Sequence, residues 1–461
     1  MKNLAAIVLA AGRGTRMKSR IPKVLHPISG HPMIHYPLRA LKGLKTGKIV
    51  VVTGYGADAV EESLSGFKGL TFARQAEQKG TAHAVMCAAM ELEGHAGDVL
   101  ILSGDVPLIT PQTVKALLKI HRKGGANPVS FISAFVSDPV GYGRVIRDAG
   151  GKVAGIIEEK DCTALQKRIK EVNAGVYLVN ADFLRKNIGG ISARNAQREY
   201  YLPDLVRMAV EKGGRVPALT HCDPSEVMGI NNRVELAAAN SIMRERVSRE
   251  LMLAGVSIID PVATYIDFGA RIGADTVIYP GAHIDGRTRI GADCVIEEGV
   301  RIEDSFIGDN TRVKSYSIIE STSLGKHVTV GPFARLRPGN VIKDRARIGN
   351  FVELKKSVIG AGTKANHLSY IGDSVIGDNV NIGAGTITCN YDGVRKHRTI
   401  IEDNAFIGSD TQLVAPVKVG KNAYVGSGTT VTRDVPPWSL VVTRADERVV
   451  EGWAKRRLEK K

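Results

Sequence analysis

Ile266, Ile272, Ile278, Ile284, Ile290, Ile296 and Ile302 stand six residues apart, and a looser form of that spacing continues almost to residue 431. A period of six is neither the roughly 3.6 of a helix nor the two of a strand, so it belongs to a supersecondary repeat. In hexapeptide repeats each unit is a short strand plus a turn, three units close one triangular coil, and each isoleucine points inward. Glycine at the following position, as at Gly273, Gly291, Gly308, Gly325, Gly349 and Gly383, suits tight corners that need permissive backbone angles. Burying seven such side chains supplies roughly 10–20 kcal/mol as an upper bound. The repeat alone is equally compatible with a stiff rod that has no chemistry, so interruptions of the rhythm decide between rod and enzyme.

The chain has 461 residues, enough for two or three domains with their own cores. No apolar run approaches the roughly 18 residues of a membrane span, and the apolar start Leu4 to Ala11 lacks a cleavage pattern, so a cytoplasmic protein with no membrane span is expected. Cys87, Cys162, Cys222, Cys294 and Cys389 are odd in number, scattered and without a CxxC pair, which argues against a disulfide framework or structural zinc. The net charge of +16 attracts anions. No recognition-helix pattern or interleaved aromatics accompany it, so polyphosphate metabolites are expected rather than nucleic acid. Part of the excess lies in the basic tail Ala454 to Lys461.

The first half reads as an α/β domain. Leu4 to Leu9 is a continuous apolar run, as expected for a parallel strand buried on both faces. AAGRGTRM (Ala10 to Met17) follows at once, and strand, glycine turn and helix start together predict backbone N–H groups facing phosphate. Arg13, Arg16 and Lys23 add the charge a triphosphate needs neutralised. Further strands at Ile49 to Thr53 and Val99 to Leu102, with a helical stretch at Thr81 to Leu92, predict βαβ units in a Rossmann-like, mostly parallel sheet with ligands at the strand C-terminal ends. Asp105 in LSGDVPL stands there, either as a turn or cap residue or as a hard oxygen ligand for Mg²⁺.

Gln75 to Thr81 (QAEQKGT), Gly141 to Arg144 (GYGR), Glu158 in IIEEK, Asn173 in EVNAG and Asn231 in GINNR are polar or glycine clusters at expected strand ends. Together with LAAGRGTRM and the Pro22–Lys23 pair they resemble the sugar-nucleotide pyrophosphorylases. More specifically they resemble the bacterial bifunctional N-acetylglucosamine-1-phosphate uridyltransferase/glucosamine-1-phosphate N-acetyltransferases, and the resemblance covers essentially the whole chain. It implies that Leu9, Ala10, Ala11, Gly12 and Gly14 line the uracil and phosphates of UTP, that Arg16 and Lys23 counter the triphosphate, and that Gln75, Gly80 and Thr81 read the uridine. Gly143, Glu158 and Asn173 match the sugar pocket, and Asp105 with Asn231 the Mg²⁺ ligands. Some relatives carry Tyr in place of Ser103.

Arg233 to Ala254 holds good helix formers with Leu236, Met243, Val247 and Leu251 on one face and Gly255 as its stop. It is a linker helix or the last helix of the first domain, which sets the expected domains at 1–232, 233–254 and 255–461. In the repeat region the rhythm is expected to falter at residues 331–339, around 355–370 and at 388–398. Those stretches hold Arg337, Lys355, His367, Tyr370, Asn390 and Tyr391, with Asn381 close by, and loops on a rigid scaffold are common places for sites.

The same resemblance implies that His367 is the general base that takes a proton from the sugar 2-amine as it attacks acetyl-CoA, a task suited to imidazole near neutral pH. Arg337 and Lys355 would hold the phosphate of glucosamine 1-phosphate, and Tyr370, Asn381 and Asn390 the sugar ring. Ala384, Asn390, Tyr391, Ser409, Ser427 and Arg444 match coenzyme A positions, with Tyr391 to Arg398 as a loop over the site. The resemblance also implies a left-handed parallel β-helix, whereas chain physics alone favours right-handed crossovers, and a homotrimer with sites between subunits. The expected product is UDP-N-acetylglucosamine, made by acetyl transfer and then uridylyl transfer to N-acetylglucosamine 1-phosphate. A single-activity nucleotidyltransferase with an assembly coil, and a sugar-nucleotide-binding scaffold, are the competing readings.

Overall fold

The apolar run at the start of the chain becomes the central strand β1 (Asn3–Ala10). Its residues alternate between two cores: Ala5 and Ile7 pack on one face of the sheet, and Leu4, Ala6, Val8 and Ala10 on the other. A strand buried on both faces needs helices on both sides. In this computed structural model, which describes residues 3–123, 125, 127–221, 223–444 and 446–459, they are there. Further strands are β2 (Thr46–Thr53), β3 (Leu70–Arg74), β4 (Gly97–Ser103), β5 (Val129–Phe135), β6 (Arg144–Arg147), β7 (Val153–Ile157), β8 (Glu171–Asn180) and β9 (Ala218–His221). They form one sheet in the order β9-β5-β8-β4-β1-β2-β3, with β6 and β7 attached through β8. Pairs around β1 are parallel, and β8 runs antiparallel between β4 and β5. The sheet is therefore Rossmann-like on one side and mixed on the other.

The expected helix directly after β1 is absent. Gly14 at φ 64° and Lys18 at φ 47° bracket a single 3₁₀ turn, Thr15–Met17, so phosphate would meet loop N–H groups and cations rather than a helix terminus.

Helix Arg233–Leu253 follows, with Leu236, Ala239, Met243 and Val247 buried and Gly255 at φ 97° where it stops. The chain divides into compact units Met1–Met243 and Arg244–Lys461, a boundary inside that helix. Among the described residues no helix is long and apolar enough to cross a membrane.

The second unit is a triangular parallel β-helix, consistent with the left-handed hexapeptide coil. Among the described residues its three faces hold eleven, ten and nine short strands. The first face runs from Ser257–Ile258 to Leu440–Val441, the second from Tyr265–Ile266 to Thr430–Val431, and the third from Arg271–Ile272 to Val417–Val419. Until the last coil each strand pairs with the third strand onward, so Ile266, Ile284, Ile302, Ile319 and Leu336 stack in register on the second face. Six of the seven isoleucines are buried. Ile272 is only half-buried because it opens the third face and has no earlier coil to cover it.

Two expectations about the coil change. The glycines after the isoleucines do not supply positive φ, which falls mostly on other corner residues such as Asp275, Asp293 and Asn310. They are needed for close approach: a Cβ on Gly273 would stand 2.5 Å from Ala292 N, and one on Gly383 2.5 Å from Ser409 N. The rhythm also continues through 331–339 and 355–370, where strands Arg335–Leu336, Val358–Ile359 and Lys364–His367 keep their faces. Leu and Ala stand there where Ile was the marker. The clear insertion among the three expected breaks is Asn390 to Arg398, between strands Ile387–Cys389 and Thr399–Ile401.

Candidate active sites

The C-terminal ends of β1 and β4 border a cavity of about 300 Å³. Leu9, Ala10, Ala11, Gly12, Lys23, Gln75, Gly80, Thr81 and Asp105 line it, as the sequence leads one to expect, together with Gln78, Ser103 and Glu199, which were not expected. Gly14 is not in the wall but shapes it: with φ 64°, a Cβ there would stand 2.5 Å from Lys23 Cβ. Glycine thus lets the lysine stem pass and places its ammonium at the cavity floor.

That ammonium is held between two oxygens. Lys23 Nζ donates to Asp105 Oδ2 and, at 3.2 Å, to Asn231 Oδ1. Arg16 Nη2 donates to the same Asn231 oxygen at 2.9 Å, and Ser103 Oγ donates to Asp105 Oδ1 at 2.6 Å. Burial pushes the Asp105 carboxyl up, but the Lys23 charge and the hydrogen bonds from Lys23 and Ser103 outweigh it and hold the group below the usual carboxylate range. A carboxylate and a carboxamide oxygen converging on one cation is a donor set that fits a hard divalent ion completed by water and phosphate.

The segment from Gln75 to Thr81 is shaped by its own hydrogen bonds. Gln75 is buried; its backbone N–H donates to Thr53 O at 2.7 Å, and its Nε2 donates to Gly80 O at 3.1 Å and lies 2.9 Å from His83 Nδ1. With the amide nitrogen engaged, Oε1 is the atom left to accept from a ligand. Thr81 Oγ1 accepts from Leu202 N at 3.1 Å. A Cβ on Gly80 would come within 2.6 Å of Tyr200 O, so only glycine fits.

A second cavity of about 270 Å³ shares Leu9, Thr81, Ser103 and Asp105 with the first. Gly143, Glu158 and Asn173 line it as expected, with Tyr142, Gly175 and Tyr177 in addition. Asn173 Nδ2 donates to the Tyr177 hydroxyl at 2.6 Å, and Asn173 Oδ1 accepts from Gly175 N at 3.1 Å. Burial, reinforced by the negative charges of Asp161, Glu199 and Asp204, pushes the Glu158 carboxyl up to about 7. The two cavities therefore share Asp105, whose carboxylate accepts from Lys23 of the first.

In the β-helix, His367 ends strand Lys364–His367 on the first face, in register with Asn350 one coil earlier. His367 Nδ1 lies 2.9 Å from Asn350 Oδ1. A cavity of about 510 Å³ beside it is lined by both residues and by Lys314, Arg347 and Asn366. Above His367 the same corner repeats coil by coil: Gly385 N donates to Leu368 O, Asp410 N to Ala384 O, and Gly428 N to Ser409 O. Ala384, Ser409 and Ser427 form a column of small residues on that corner. Residues 442–444 cover the next coil, where Thr443 N donates to Thr429 Oγ1 at 3.3 Å, which brings exposed Arg444 to the end of the column. Asn381, on the first face, is in register with Lys364 and Phe406.

Arg337, Lys355, Tyr370 and Asn390 gather elsewhere, on the second face and the corner after it. Lys355 is in register with Gly372, and a Cβ on Gly372 would lie 2.5 Å from the Tyr370 hydroxyl and 2.8 Å from Asn390 Nδ2. Asn390 Nδ2 donates to Asp373 Oδ2, and Arg337 Nη1 to Glu353 Oε1 at 3.0 Å. Lys396, from the insertion, lowers the pKa of Lys355 by hydrogen bond and charge. Tyr391 stays in that insertion, its hydroxyl donating to Gly393 O at 2.6 Å, and Asp392 braces the loop by accepting from Val394 N and Arg395 N. His367 and the cations thus flank one face, with Tyr370 between them. Asn350, Lys396, Lys314 and Arg347 were missed from sequence because nothing in local spacing reports which coil a residue stacks on. Cys87, Cys162, Cys294 and Cys389 are free thiols; Cys222, Lys460 and Lys461 lie outside the described residues.

Comparison with known proteins agrees with this division. The MobA-like NTP transferase domain profile matches residues 6–165, that of the GMPPB C-terminal domain residues 262–342, and that of the bacterial transferase hexapeptide (six repeats) residues 398–433. The "Bifunctional protein GlmU" of Pelobacter propionicus is 52% identical over 453 residues, covering 98% of each chain. Those of Geotalea uraniireducens and Heliobacterium modesticaldum are 50% and 47% identical, covering 98% and 99% of this chain and 99% of their own.

Proposed function

The chain belongs to the family of bifunctional GlmU proteins and is a two-activity enzyme, uridylyltransferase and acetyltransferase, and from that premise we propose which residues carry each step. The observation that carries the reading is that each unit holds its own set of chemical groups: paired cavities that share Asp105, itself bonded to Lys23, in one, and an imidazole fixed by a carboxamide in the other.

For uridylyl transfer, UTP lies in the first cavity and N-acetylglucosamine 1-phosphate in the second. Gln75 Oε1 accepts the uracil N–H, and Gly12 and its neighbours bring backbone N–H groups to the phosphates. The sugar phosphate oxygen attacks the α-phosphorus in line and pyrophosphate leaves. That oxygen is already anionic, so no general base is needed, and catalysis is positioning plus neutralisation by Lys23 and Arg16. Asp105 and Asn231 would hold Mg²⁺, which when bound would supply positive charge against the phosphates. Glu158 and Asn173 orient the sugar.

For acetyl transfer, the carboxamide oxygen of Asn350 can only accept, so it keeps the His367 proton on Nδ1 and leaves Nε2 as the base. Nε2 takes a proton from the 2-amine of glucosamine 1-phosphate as the nitrogen attacks the thioester carbonyl of acetyl-CoA and the thiolate departs. Arg337 and Lys355 hold the phosphate; Tyr370, Asn381 and Asn390 hold the ring. The column Ala384, Ser409, Ser427 offers a narrow path for the pantetheine arm, and Tyr391 and Arg444 hold coenzyme A, with the Arg444 guanidinium on a phosphate.

The functional domains are 1–232, 233–254 and 255–461, the protein is cytoplasmic, and it acts as a homotrimer. Support for the trimer comes from an exposed ridge along the His367 corner. Tyr316, Phe333, Phe351 and Leu368 recur once per coil, 49–61% exposed, with ring centroids 5.5 Å apart between Tyr316 and Phe333 and between Phe333 and Phe351. A second copy covering that ridge would complete a site beside His367.

The test is direct. Purified protein given UTP and N-acetylglucosamine 1-phosphate releases pyrophosphate, and given acetyl-CoA and glucosamine 1-phosphate releases free thiol. Pyrophosphate without thiol would favour a single-activity nucleotidyltransferase whose coil serves assembly.

A further inference from the structure

The largest of the cavities described has no part in either reaction. It encloses about 670 Å³ at the edge of the sheet where β2 and β3 begin, whereas catalysis uses the edge where strands end. Arg39, Lys42, Lys45 and Lys68 surround it, Leu41 and Phe67 stand in its wall, and no carboxylate lines it. Among the described residues none of Lys42, Lys45 and Lys68 forms an ion pair, while Arg39 Nη2 lies 3.3 Å from His31 Nε2. Four cations facing one hollow repel each other and create a positive potential that an anion relieves. Several ammonium groups beside a guanidinium suit a group with many oxygens, such as phosphate. The apolar wall suits a ring or other flat apolar group, and the volume is that of an ordinary small-molecule site rather than an extended polyanion track.

We propose that this cavity is a second small-molecule site, for a phosphorylated metabolite that carries a flat or apolar group. Its place in the fold links it to catalysis. β2 and β3 contribute Thr46 and Leu70 to its wall and end at Thr53 and Arg74, against Gln75 of the nucleotide cavity. The site stands on the cavity itself and is independent of the catalytic assignments.

Adenosine 5′-monophosphate is the probe, titrated calorimetrically into the full chain after the two cavities of the first unit have been filled with UDP-N-acetylglucosamine and the proposed coenzyme A site with coenzyme A. The wild type is expected to take up the monophosphate at one saturable site per chain. The variant Lys42→Glu/Lys45→Glu/Lys68→Glu, altered only at exposed positions, binds it at least about tenfold more weakly while keeping wild-type affinity for UDP-N-acetylglucosamine, which shows that it is folded. No saturable uptake by wild type, equal affinity in the variant, or preference for a DNA duplex over the monophosphate overturns the proposal. Failure of UDP-N-acetylglucosamine to bind in the first titration would instead count against the uridylyltransferase assignment.

Discussion

His367 Nδ1 and Asn350 Oδ1 lie 2.9 Å apart on successive coils, so the orientation of the His367 ring is set by the stacking of the coil rather than by a loop. Asn350→Ala is expected to lower the acetyl transfer rate by about tenfold or more, within the range that a positioned base contributes, with uridylyl transfer unchanged. Asn350→Asp places a carboxylate against the ring, favours imidazolium, and moves the rising limb of the acetyl transfer pH profile to higher pH. The pH profiles of both half-reactions check this.

Lys23 neutralises the part-buried Asp105 carboxylate. A carboxylate held below its ordinary pKa contributes stability above the unfolded-state pKa and loses it as pH falls through the folded value. Lys23→Ala should therefore abolish uridylyl transfer and cost roughly 1–3 kcal/mol near neutral pH, with the deficit shrinking in acid. Urea denaturation at several pH values measures it.

Glu158 shows the opposite sign. Burial raises its pKa to about 7, so its ionisation is progressively disfavoured in the folded state as pH rises from the ordinary carboxylate range to about 7. Glu158→Gln is expected to be more stable than wild type at pH 8, by on the order of 3 kcal/mol at most, and no more stable at pH 4. The same substitution should raise the KM for N-acetylglucosamine 1-phosphate. Thermal unfolding across pH and steady-state kinetics test the two effects separately.

Phe351 is 56% exposed in the stacked ridge beside His367. Phe351→Glu puts a charge where another copy is proposed to pack, and should shift the protein from trimer toward monomer in sedimentation analysis. Acetyl transfer falls with the trimer, and uridylyl transfer persists.

The two architectures were legible in the sequence because each rests on a pattern that repeats: alternate burial of β1 in two cores and the six-residue isoleucine spacing. The residues that line the first cavity were legible because they cluster in short segments at strand ends, as Gln75, Gly80 and Thr81 do. Asn350 and Lys396 were not, since their partners are 17 and 41 residues away and only the coil geometry joins them. The corner chemistry was equally hidden. Thr276 and Thr311 are buried because their hydroxyls donate to the carbonyls of Gly291 and Gly325 and accept from the N–H groups of Cys294 and Val328, which satisfies backbone groups that the turns leave open. The expected breaks at 331–339 and 355–370 failed for a related reason: substituting Leu or Ala for Ile weakens a sequence marker without breaking a strand.

Two independent sets of groups are proposed to act in one chain, the first around Asp105 and the second around His367. Assaying wild type, Asp105→Ala and His367→Ala for both pyrophosphate and thiol release separates them. Asp105→Ala is expected to lose uridylyl transfer and keep acetyl transfer, and His367→Ala to do the reverse. Near-normal uridylyl transfer in the first variant, or near-normal acetyl transfer in the second, would contradict that assignment.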